Sequence, residues 1–359
     1  MAPKVYNIAI IGYGLSAKIF HIPFIPTVQG LNLYAIVNQF PQPDDNIETR
    51  CPGVKVYSTT EEMLKDPAVD VVVLSTPPTT HLALATAAIK AGKHVVCEKP
   101  LTPMSAEGDQ LIATAKEYGK LLTVFHNRRW DTDFLTLQKL INEDTLGRIV
   151  EFETHFDRYD LEVIKSAGGW RGQKLPGAGV IYDLGVHLMD QVNVLFGMPE
   201  KVTGFEQTQR EEDQSGIEDA CTVLLHYKSG LLVTVKAAVI SPEKKQLKFW
   251  VRGQKGSYRK YHLDSQEEML QDGKHPGSKN FGVEKPERYG IVTVNTGNGF
   301  IERDEPTVSP ETYAAFYKKL LLALEGKGPV PVDPKDGRDV IRLVELAHES
   351  SRLGKTLSV

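Results

Sequence analysis

The stretch "IAIIGYGLSAKIFHIPFI", residues 8–25, runs from four apolar residues through a closely spaced glycine pair into a helix-like pattern. Gly12 would permit a tight turn after a buried strand, and Gly14 would let a pyrophosphate approach the backbone. Ala17 takes the third small position of the G-x-G-x-x-G/A fingerprint, and Leu15 is expected to line the cofactor between these positions. An ordinary glycine-containing turn is the alternative, but a position at the first turn of an alternating series favours dinucleotide binding.

Up to residue 127 the chain alternates short apolar runs with amphipathic stretches such as "HLALATAAIKAGK", which Gly92 would terminate. Thr59 and Glu62 have the spacing of a capping box before "TEEMLKD". Strands are predicted at Asn7–Ile11, Leu33–Val37, Val54–Tyr57, Val69–Leu74, His94–Glu98 and Leu121–Phe125. Single helices between short strands predict βαβ units, and hence a Rossmann-type doubly wound parallel sheet domain in residues 1–127.

After Trp130 a single helical pattern, "DTDFLTLQKLINED", gives way to long alternating runs joined by tight turns. Strands are predicted at Ile149–Arg158, Val202–Gln207, Thr222–Tyr227, Leu231–Val239, Gln246–Gly253 and Ser257–Leu263. Direct hairpins favour antiparallel pairing. The polar segment from Asp264 to about Arg288 is interpreted as a long excursion, and helical patterns follow it. Residues 128–359 are therefore predicted to form a large open antiparallel sheet with flanking helices.

The composition of the 359 residues, 41% hydrophobic and 25% charged, is typical of a globular protein. A formal net charge of −4 gives no electrostatic reason to expect nucleic-acid binding. No apolar run approaches the roughly 20 residues of a membrane span, and the amino terminus does not have a signal-peptide pattern. Three cysteines without metal-ligand spacing favour a reducing, cytoplasmic location.

The residue after the second predicted strand bears on the choice between NAD and NADP. NAD sites usually place an acidic residue there to bind the ribose hydroxyls, whereas this strand ends "AIVNQF", with Asn38 at that position. A neutral amide tolerates a 2′-phosphate that a carboxylate would repel. Because Arg50 follows in the next loop and could reach that phosphate, the sequence favours NADP over NAD.

Three residues could carry acid–base chemistry. Lys99 follows a buried strand, at the edge where open α/β sheets bind ligands, although a surface lysine paired with Glu98 is the alternative. Asp183 and His187, in "GAGVIYDLGVHLMDQ", are four residues apart, so on a helix they would share a face and could take a hydroxyl proton. A structural histidine is the alternative to that role. A metal site is not expected, because no third ligand has diagnostic spacing.

The glycine fingerprint, "EKP" and D-x-x-x-H after "GAG" occur in the order found in the glucose–fructose oxidoreductase, inositol dehydrogenase and rhizopine catabolism family, which the whole chain resembles. "HNRRWD", "GGWR" and "FGVEKPERYG" are similar to stretches of members that oxidise scyllo-inositol and related polyols with NADP. The resemblance implies that Lys99, Asp183 and His187 surround the reacting carbon. It also implies that further residues contact the cofactor (Thr76, Pro77, Glu98 and Asn127) or the substrate (Arg128, Trp170 and Arg171).

By this resemblance we expect an NAD(P)-dependent enzyme that moves hydride between nicotinamide and a secondary alcohol or carbonyl of a sugar or cyclic polyol. His187 would be the principal acid–base group, Lys99 would hydrogen-bond the reacting oxygen, and Asp183 would orient substrate and His187. Reduction of a non-sugar carbonyl, or a dihydrodiol dehydrogenase-like activity, stays open, as does a non-catalytic dinucleotide-sensing regulator. The resemblance also implies that residues 128–359 bind substrate and mediate oligomerisation. Their open sheet face is expected to pack against another subunit, giving a homodimer or homotetramer.

Overall fold

The computed structural model describes residues 4–43, 45–161, 173–210 and 216–359. The chain forms two compact units, each made of segments that are discontinuous in sequence. The first unit consists of Met1–Asn127, Met269–Phe281 and Glu311–Arg338. The second unit consists of Arg128–Glu268, Gly282–Pro310 and Asp339–Val359. The first unit therefore includes two segments that follow residue 127 in sequence.

The first unit contains a wholly parallel sheet in the order β3-β2-β1-β4-β5-β6. Its strands are β1 (Tyr6–Ile11), β2 (Leu31–Val37), β3 (Lys55–Tyr57), β4 (Val71–Leu74), β5 (His94–Glu98) and β6 (Leu122–Phe125). Every residue of β4, "VVVL", is buried, as expected for a strand that is covered on both faces. The predicted Rossmann-type sheet is confirmed, and the strand order reverses between β1 and β4.

Helices connect these strands, as the alternating pattern predicts. They are α1 (Ile47–Arg50), α2 (Thr60–Leu64), α3 (His81–Lys90) and α4 (Ser105–Glu117), while α8 (Ala314–Leu324) joins the unit from the later segment. Thr59 Oγ1 accepts a hydrogen bond from the Glu62 backbone N–H at 3.2 Å, so Thr59 is the N-cap of α2 and supplies its part of the predicted capping box. Gly92, with a φ of +81°, ends α3 as expected.

The helical segment after the glycine turn is shorter than its sequence pattern suggests. It covers Ala17–His21 and contains one π-type turn, in which the Ile22 N–H bonds to the Ala17 carbonyl. Pro23 and Pro26 follow at once, and proline offers no backbone N–H to continue a helix. The apolar pattern of residues 8–25 therefore continues into a 3₁₀ turn rather than a longer helix.

The second unit contains a sheet in the order β14-β13-β12-β11-β7-β10-β9-β8-β15. Its strands are β7 (Ile149–Asp157), β8 (Lys201–Gln207), β9 (Ala220–His226), β10 (Leu232–Ala238), β11 (Leu247–Gly253), β12 (Gly256–Tyr261), β13 (Gly290–Asn295), β14 (Phe300–Glu305) and β15 (Leu357–Ser358). The predicted antiparallel pairing needs one correction, because β7 and β10 are parallel. The sheet is therefore mostly antiparallel. Strands β13 and β14 were not predicted. β14 is an exposed edge strand without a buried alternate face, whereas β13 does alternate at its start, so its pattern was overlooked.

Helices cover one face of this sheet. They are α5 (Thr132–Asn142), α6 (Val186–Phe196) and α9 (Pro334–Leu353), and a further short helix, α7 (Ser265–Gln271), follows β12 in sequence. The core lies between this layer and the inward residues of the strands, such as Phe152, Val235 and Val251. The segment interpreted as a polar excursion in fact begins with α7. Asp264, just before α7, accepts hydrogen bonds from the Thr132 N–H and hydroxyl at 2.7 and 2.6 Å, and so caps α5.

In the described ranges, every helix is too short or too polar to cross a membrane.

Candidate active site

The glycine turn leaves room for a ligand at the end of β1. Gly12 has a φ of +98°, and a Cβ there would lie 2.3 Å from the Ser75 carbonyl oxygen, so only glycine fits. No atom lies within 4 Å of the Cβ position of Gly14, which leaves its backbone open to close approach. Ala17 is fully buried, and the Leu15 side chain is 64% exposed beside the turn. These features fit the pyrophosphate of a dinucleotide.

Asn38, which follows β2, lies beside a carboxylate that is paired with a cation. Asn38 donates from Nδ2 to Asp45 Oδ2 at 3.3 Å, and Lys18 Nζ lies 2.8 Å from Asp45 Oδ1. Lys18 Nζ also lies 4.4 Å from the centroid of the Tyr13 ring. Burial raises the pKa of Tyr13, while the nearby Arg50 guanidinium lowers it. Arg50, which was predicted from the sequence, lies beside Tyr13, whereas the predicted Asn38 is linked to Lys18 through Asp45. Lys18 and Asp45 were not predicted.

The loop after β4 is joined to the loop after β5 by a buried histidine. His81 Nε2 lies 3.0 Å from the Thr76 carbonyl oxygen, and Nδ1 lies 3.0 Å from that of Pro100. Thr76 also shares a hydrogen bond with the Thr80 hydroxyl at 2.7 Å, beside Pro77. Burial lowers the pKa of His81, although the surrounding carbonyls oppose this. The predicted cofactor residues Thr76 and Pro77 therefore lie on a loop that is fixed against the "EKP" segment.

Glu98, the last residue of β5, accepts three hydrogen bonds. Oε1 accepts from the Ser16 hydroxyl and faces His21 Nε2 at 2.9 Å, and Oε2 accepts from the Lys99 backbone N–H at 3.0 Å. Burial alone would raise the pKa of Glu98, but the His21 and Ser16 contacts and the Lys99 charge outweigh it, so that pKa is lowered. Glu98 thus binds both the glycine turn and the backbone of Lys99, whose side chain is half-buried.

In the second unit Asp183 and His187 lie on one helical run. Asp183 lies in a π-type segment, Ile181–Gly185, and His187 lies in the first turn of α6. Local π-type turns are frequent at functional sites because they displace side chains from regular helical positions. His187 is 6% exposed, and its ring centroid lies 6.4 Å from that of Phe156.

Arginines cover the same aromatic ring. The guanidinium carbons of Arg128 and Arg158 lie 4.6 and 4.9 Å from the Phe156 centroid. Glu267 forms ion pairs with both arginines, at 3.5 Å with Arg158. Arg128 was predicted from the sequence, whereas Phe156, Arg158 and Glu267 were not. The second unit therefore groups the His187 imidazole, an aromatic face and a charged hydrogen-bonding array.

The "GAG" motif is explained by a carboxylate at the start of the helical run that carries Asp183 and His187. Gly179 has a φ of +103°, and a Cβ there would lie 1.8 Å from Glu218 Oε1. Burial raises the pKa of Glu218 to about 7, although the backbone N–H groups of Glu218 itself and of Ile181 oppose it. Sequence reasoning could not find Glu218, because its nearest sequence neighbours carry no motif.

Of the remaining predicted site residues, one lies within the described residues and two lie outside them. Asn127 is buried, at 5% exposure, in the 3₁₀ turn Asn127–Trp130. Trp170 and Arg171 lie outside the described residues. Within the four described ranges, no group of three histidine, cysteine or acidic side chains is placed to hold a metal ion.

Comparison with protein families identifies the chain. Residues 6–126 match the NAD-binding Rossmann-fold model of the Gfo/Idh/MocA oxidoreductase family, and residues 138–359 match the C-terminal α/β domain model of the same family. The chain belongs to this family. It is therefore an oxidoreductase with a nucleotide-binding Rossmann domain, and the resemblance inferred from the glycine fingerprint, "EKP" and D-x-x-x-H is confirmed.

Individual relatives match this chain in sequence or structure over nearly its whole length. The oxidoreductase YdgJ of Escherichia coli is 38% identical over 98% of both chains. The scyllo-inositol 2-dehydrogenase (NADP⁺) IolW of Bacillus subtilis is 35% identical over 98% of this chain and 95% of its own. The solved structure of the oxidoreductase yvaA from Bacillus subtilis has a TM-score of 0.93 and 34% identity, covering 100% of this chain and 99% of the other.

Proposed function

We propose that this oxidoreductase transfers hydride between NADP and a secondary alcohol or carbonyl carbon of a cyclic polyol or sugar. The observation that carries the proposal is the buried His187 imidazole on one helical run with Asp183, beside the Phe156 ring. The similarity to a scyllo-inositol dehydrogenase over nearly the whole chain supports the substrate class. Residues 1–127 act as the dinucleotide-binding domain, and residues 128–359 bind substrate and mediate self-association.

Each of the three reactive side chains has a separate role. When bound, the nicotinamide ring exchanges hydride at C4. In the oxidation direction His187 takes the hydroxyl proton as the carbon-bound hydrogen leaves with its electron pair, and the carbon–oxygen bond becomes a carbonyl. Lys99 hydrogen-bonds the reacting oxygen and stabilises its developing negative charge, while Asp183 orients the substrate and His187. In the reverse direction His187 returns the proton to the oxygen.

Polyhydroxylated substrates suit the charged array beside His187. Arg128 and Glu267 offer a donor and an acceptor for hydroxyl groups, and Arg128 is 5% exposed, so its position is fixed by packing. The Phe156 ring offers an apolar surface for the carbon–hydrogen face of a sugar or cyclitol ring. Trp170 and Arg171 remain candidates to complete this pocket.

We infer a preference for NADP from the charges after β2. Lys18 and Arg50 both lie close to the Tyr13 side chain, so two cations are available to a 2′-phosphate. Asp45 beside Asn38 opposes this preference, and its pairing with Lys18 offsets part of its charge. Thr76, Pro77, Glu98 and Asn127 contact the cofactor in this proposal, together with the glycine turn.

Self-association through the mostly antiparallel sheet is part of the proposal. On the face away from the core, Leu224, Trp250 and Ile291 are partly exposed, and Phe205 is 54% exposed. A second copy of the chain would bury this surface in a homodimer or homotetramer. A cytoplasmic location is also proposed, since all three cysteines are buried thiols.

Cofactor reduction across a substrate panel tests the function. The purified chain is incubated with NADP⁺ or NAD⁺ and a set of inositols, aldoses and dihydrodiols, and the absorbance of reduced cofactor is followed. We expect the highest kcat/KM with NADP⁺ and an inositol or related polyol. Higher activity on dihydrodiols would instead favour a dihydrodiol dehydrogenase. Cofactor binding without turnover on any substrate would favour a sensor.

A further inference from the structure

A buried hydrogen-bond chain in the first unit ends on the carboxylate of Glu98. His21 Nδ1 lies 2.6 Å from the Tyr317 hydroxyl, and His21 Nε2 lies 2.9 Å from Glu98 Oε1. His21 and Tyr317 are both fully buried, and Phe125 packs on the His21 ring with centroids 4.3 Å apart. The reaction scheme above uses neither His21 nor Tyr317.

The protonation states of Tyr317 and Glu98 determine which group donates in each hydrogen bond to His21. Burial raises the pKa of Tyr317 well above its usual value, so its hydroxyl keeps its proton and donates to His21 Nδ1. His21 then carries its proton on Nε2 and donates to Glu98. Because Ser16 and the Lys99 backbone also donate to the carboxylate, the arrangement stabilises the ionised form of Glu98.

The position of Glu98 in the sheet indicates which part of a bound dinucleotide its negative charge would act on. In a doubly wound sheet a dinucleotide lies across the carboxyl ends of the strands, with one mononucleotide on each side of the point where strand order reverses. The adenosine half lies over β1, β2 and β3, so the nicotinamide half lies over β4, β5 and β6. Glu98 is the last residue of β5 and receives a hydrogen bond from Ser16 of the glycine turn.

We propose that Tyr317 and His21 are positioning residues that keep Glu98 ionised, and that this fixed negative charge makes the site bind oxidised nicotinamide in preference to reduced nicotinamide. The oxidised ring carries a positive charge that the reduced ring lacks, so a nearby carboxylate attracts only the oxidised form. The inference rests on the proposed dinucleotide-dependent function, and concerns the relative affinity for the two redox states.

The first test measures the dissociation constants of NADP⁺ and NADPH for the full chain and for Glu98→Gln, by fluorescence titration or calorimetry. Glu98→Gln keeps the size of the side chain and removes its charge. We expect the preference for NADP⁺ over NADPH to fall by about tenfold, the effect of one charge at several ångströms in a partly buried site. A ratio that stays within about twofold of the wild-type ratio would overturn the proposal.

The second test uses pH to separate charge from structure. When the His21 imidazole is removed, we expect the effect of burial on Glu98 to outweigh its remaining hydrogen bonds, so that the pKa of Glu98 rises. In His21→Leu the NADP⁺ to NADPH preference should therefore decrease as pH falls from about 9 to about 6, while the wild-type ratio changes little. Tyr317→Phe should show a weaker form of the same trend. His21→Gln retains a donor for Glu98 and should restore the wild-type profile.

The other titratable groups that face Glu98 are Lys99, Cys97, His81 and Tyr317. These groups remain in the double variant His21→Leu/Glu98→Gln. The pH dependence of its NADP⁺ to NADPH preference should therefore equal that of Glu98→Gln. If the preference for NADP⁺ over NADPH depends on pH in the double variant as it does in His21→Leu, the proposal is contradicted. If the wild-type chain binds neither NADP⁺ nor NADPH, the proposed function fails; if it binds both with an unaltered ratio in Glu98→Gln, only this inference fails.

Discussion

The Glu218 carboxylate occupies the space that a side chain at Gly179 would need, with Oε1 1.8 Å from the Cβ position. This places an acidic group at the start of the helical run that carries Asp183 and His187. The glycine of the "GAG" motif is thus required by space as well as by its φ of +103°. The "GAG" motif and the helical run that follows it therefore form one structural feature.

Gly179→Ala should destabilise the chain more than a comparable change elsewhere. Gly230 provides the matched control, since it has a φ of +82° with no atom within 4 Å of its Cβ position. Gly230→Ala should cost about 1 kcal/mol from backbone strain alone, and Gly179→Ala should cost roughly 2 kcal/mol or more. Urea unfolding measures both. Equal losses of unfolding free energy would show that Glu218 moves aside without cost.

Glu218→Gln should flatten the pH dependence of stability. The folded pKa of Glu218, about 7, exceeds its usual value of 4.5, so the folded chain binds this proton more tightly than the unfolded chain. This contribution to stability is present below the unfolded pKa and is lost as pH rises through about 7. We expect it to amount to about 1 to 3 kcal/mol.

Urea unfolding between pH 5 and pH 8, about the range of this titration, checks the change in slope. Exposed Glu61 provides the control, and Glu61→Gln should keep the wild-type profile. A wild-type slope that persists in Glu218→Gln would place the titration on another group, such as His348, whose pKa is raised by Glu206 despite its burial.

Lys18 and Asp45 should have opposite effects on cofactor preference. Lys18→Met removes a cation near Asn38 and exposes the charge of Asp45, so NADP affinity should fall about tenfold or more while NAD affinity changes little. Asp45→Asn should strengthen NADP binding, and Arg50→Ala should weaken it. Cofactor titrations of each variant give the dissociation constants.

Lys4 supplies the matched control for Lys18, because it pairs with Asp70 before β1 and β4, at the opposite ends of those strands from the glycine turn. Lys4→Met should leave both dissociation constants unchanged. Tighter binding of NAD than of NADP by the wild-type chain would contradict the proposed preference. Equal effects of Lys18→Met on the two cofactors would remove Lys18 from the phosphate site.

The exposed sheet face should control the oligomeric state. Leu224→Arg places a charge among the partly exposed residues of β9 and its neighbours, and should shift the chain towards a monomer of 39.9 kDa. Leu322→Arg, at an exposed position of α8 in the first unit, is the control and should leave assembly unchanged. Light scattering at micromolar concentration gives the masses. A monomeric wild-type chain would refute the proposed self-association.

Most of the fold follows from local sequence patterns. The Rossmann strands were predicted because short apolar runs alternate with helical periods, and His94–Glu98 matches its predicted range. The edge strand β14 was missed, because its sequence, "FIERDE", has one buried residue and no alternating face. The parallel pairing of β7 with β10 was also missed, since register between distant strands leaves no local signal.

The candidate site was predictable only where its residues belong to motifs. Gly12, Lys99, Asp183 and His187 each lie in a short recognisable pattern. His21 lies in the stretch that specifies the glycine turn, yet its partner Tyr317 is 296 residues away. Such a contact depends on tertiary packing of α8 against the sheet of the first unit, which a single sequence does not reveal.

The assignment of Lys99 as a catalytic residue is the central claim. Lys99 lies at the carboxyl end of β5, while the glycine turn that would bind the pyrophosphate lies at the end of β1. Removing the ammonium should therefore slow hydride transfer much more than it weakens cofactor binding. His187→Ala should behave similarly, and the double variant should lose less than the product of the two single losses.

The most direct test is single-turnover hydride transfer from the best substrate found to NADP⁺ in Lys99→Met, measured together with the dissociation constant of NADP⁺ for this variant. Exposed Lys90→Met serves as the control and should retain wild-type values. We expect the rate of Lys99→Met to fall about 10²- to 10⁴-fold, with NADP⁺ affinity within about threefold of wild type. A wild-type rate in Lys99→Met would contradict the catalytic assignment.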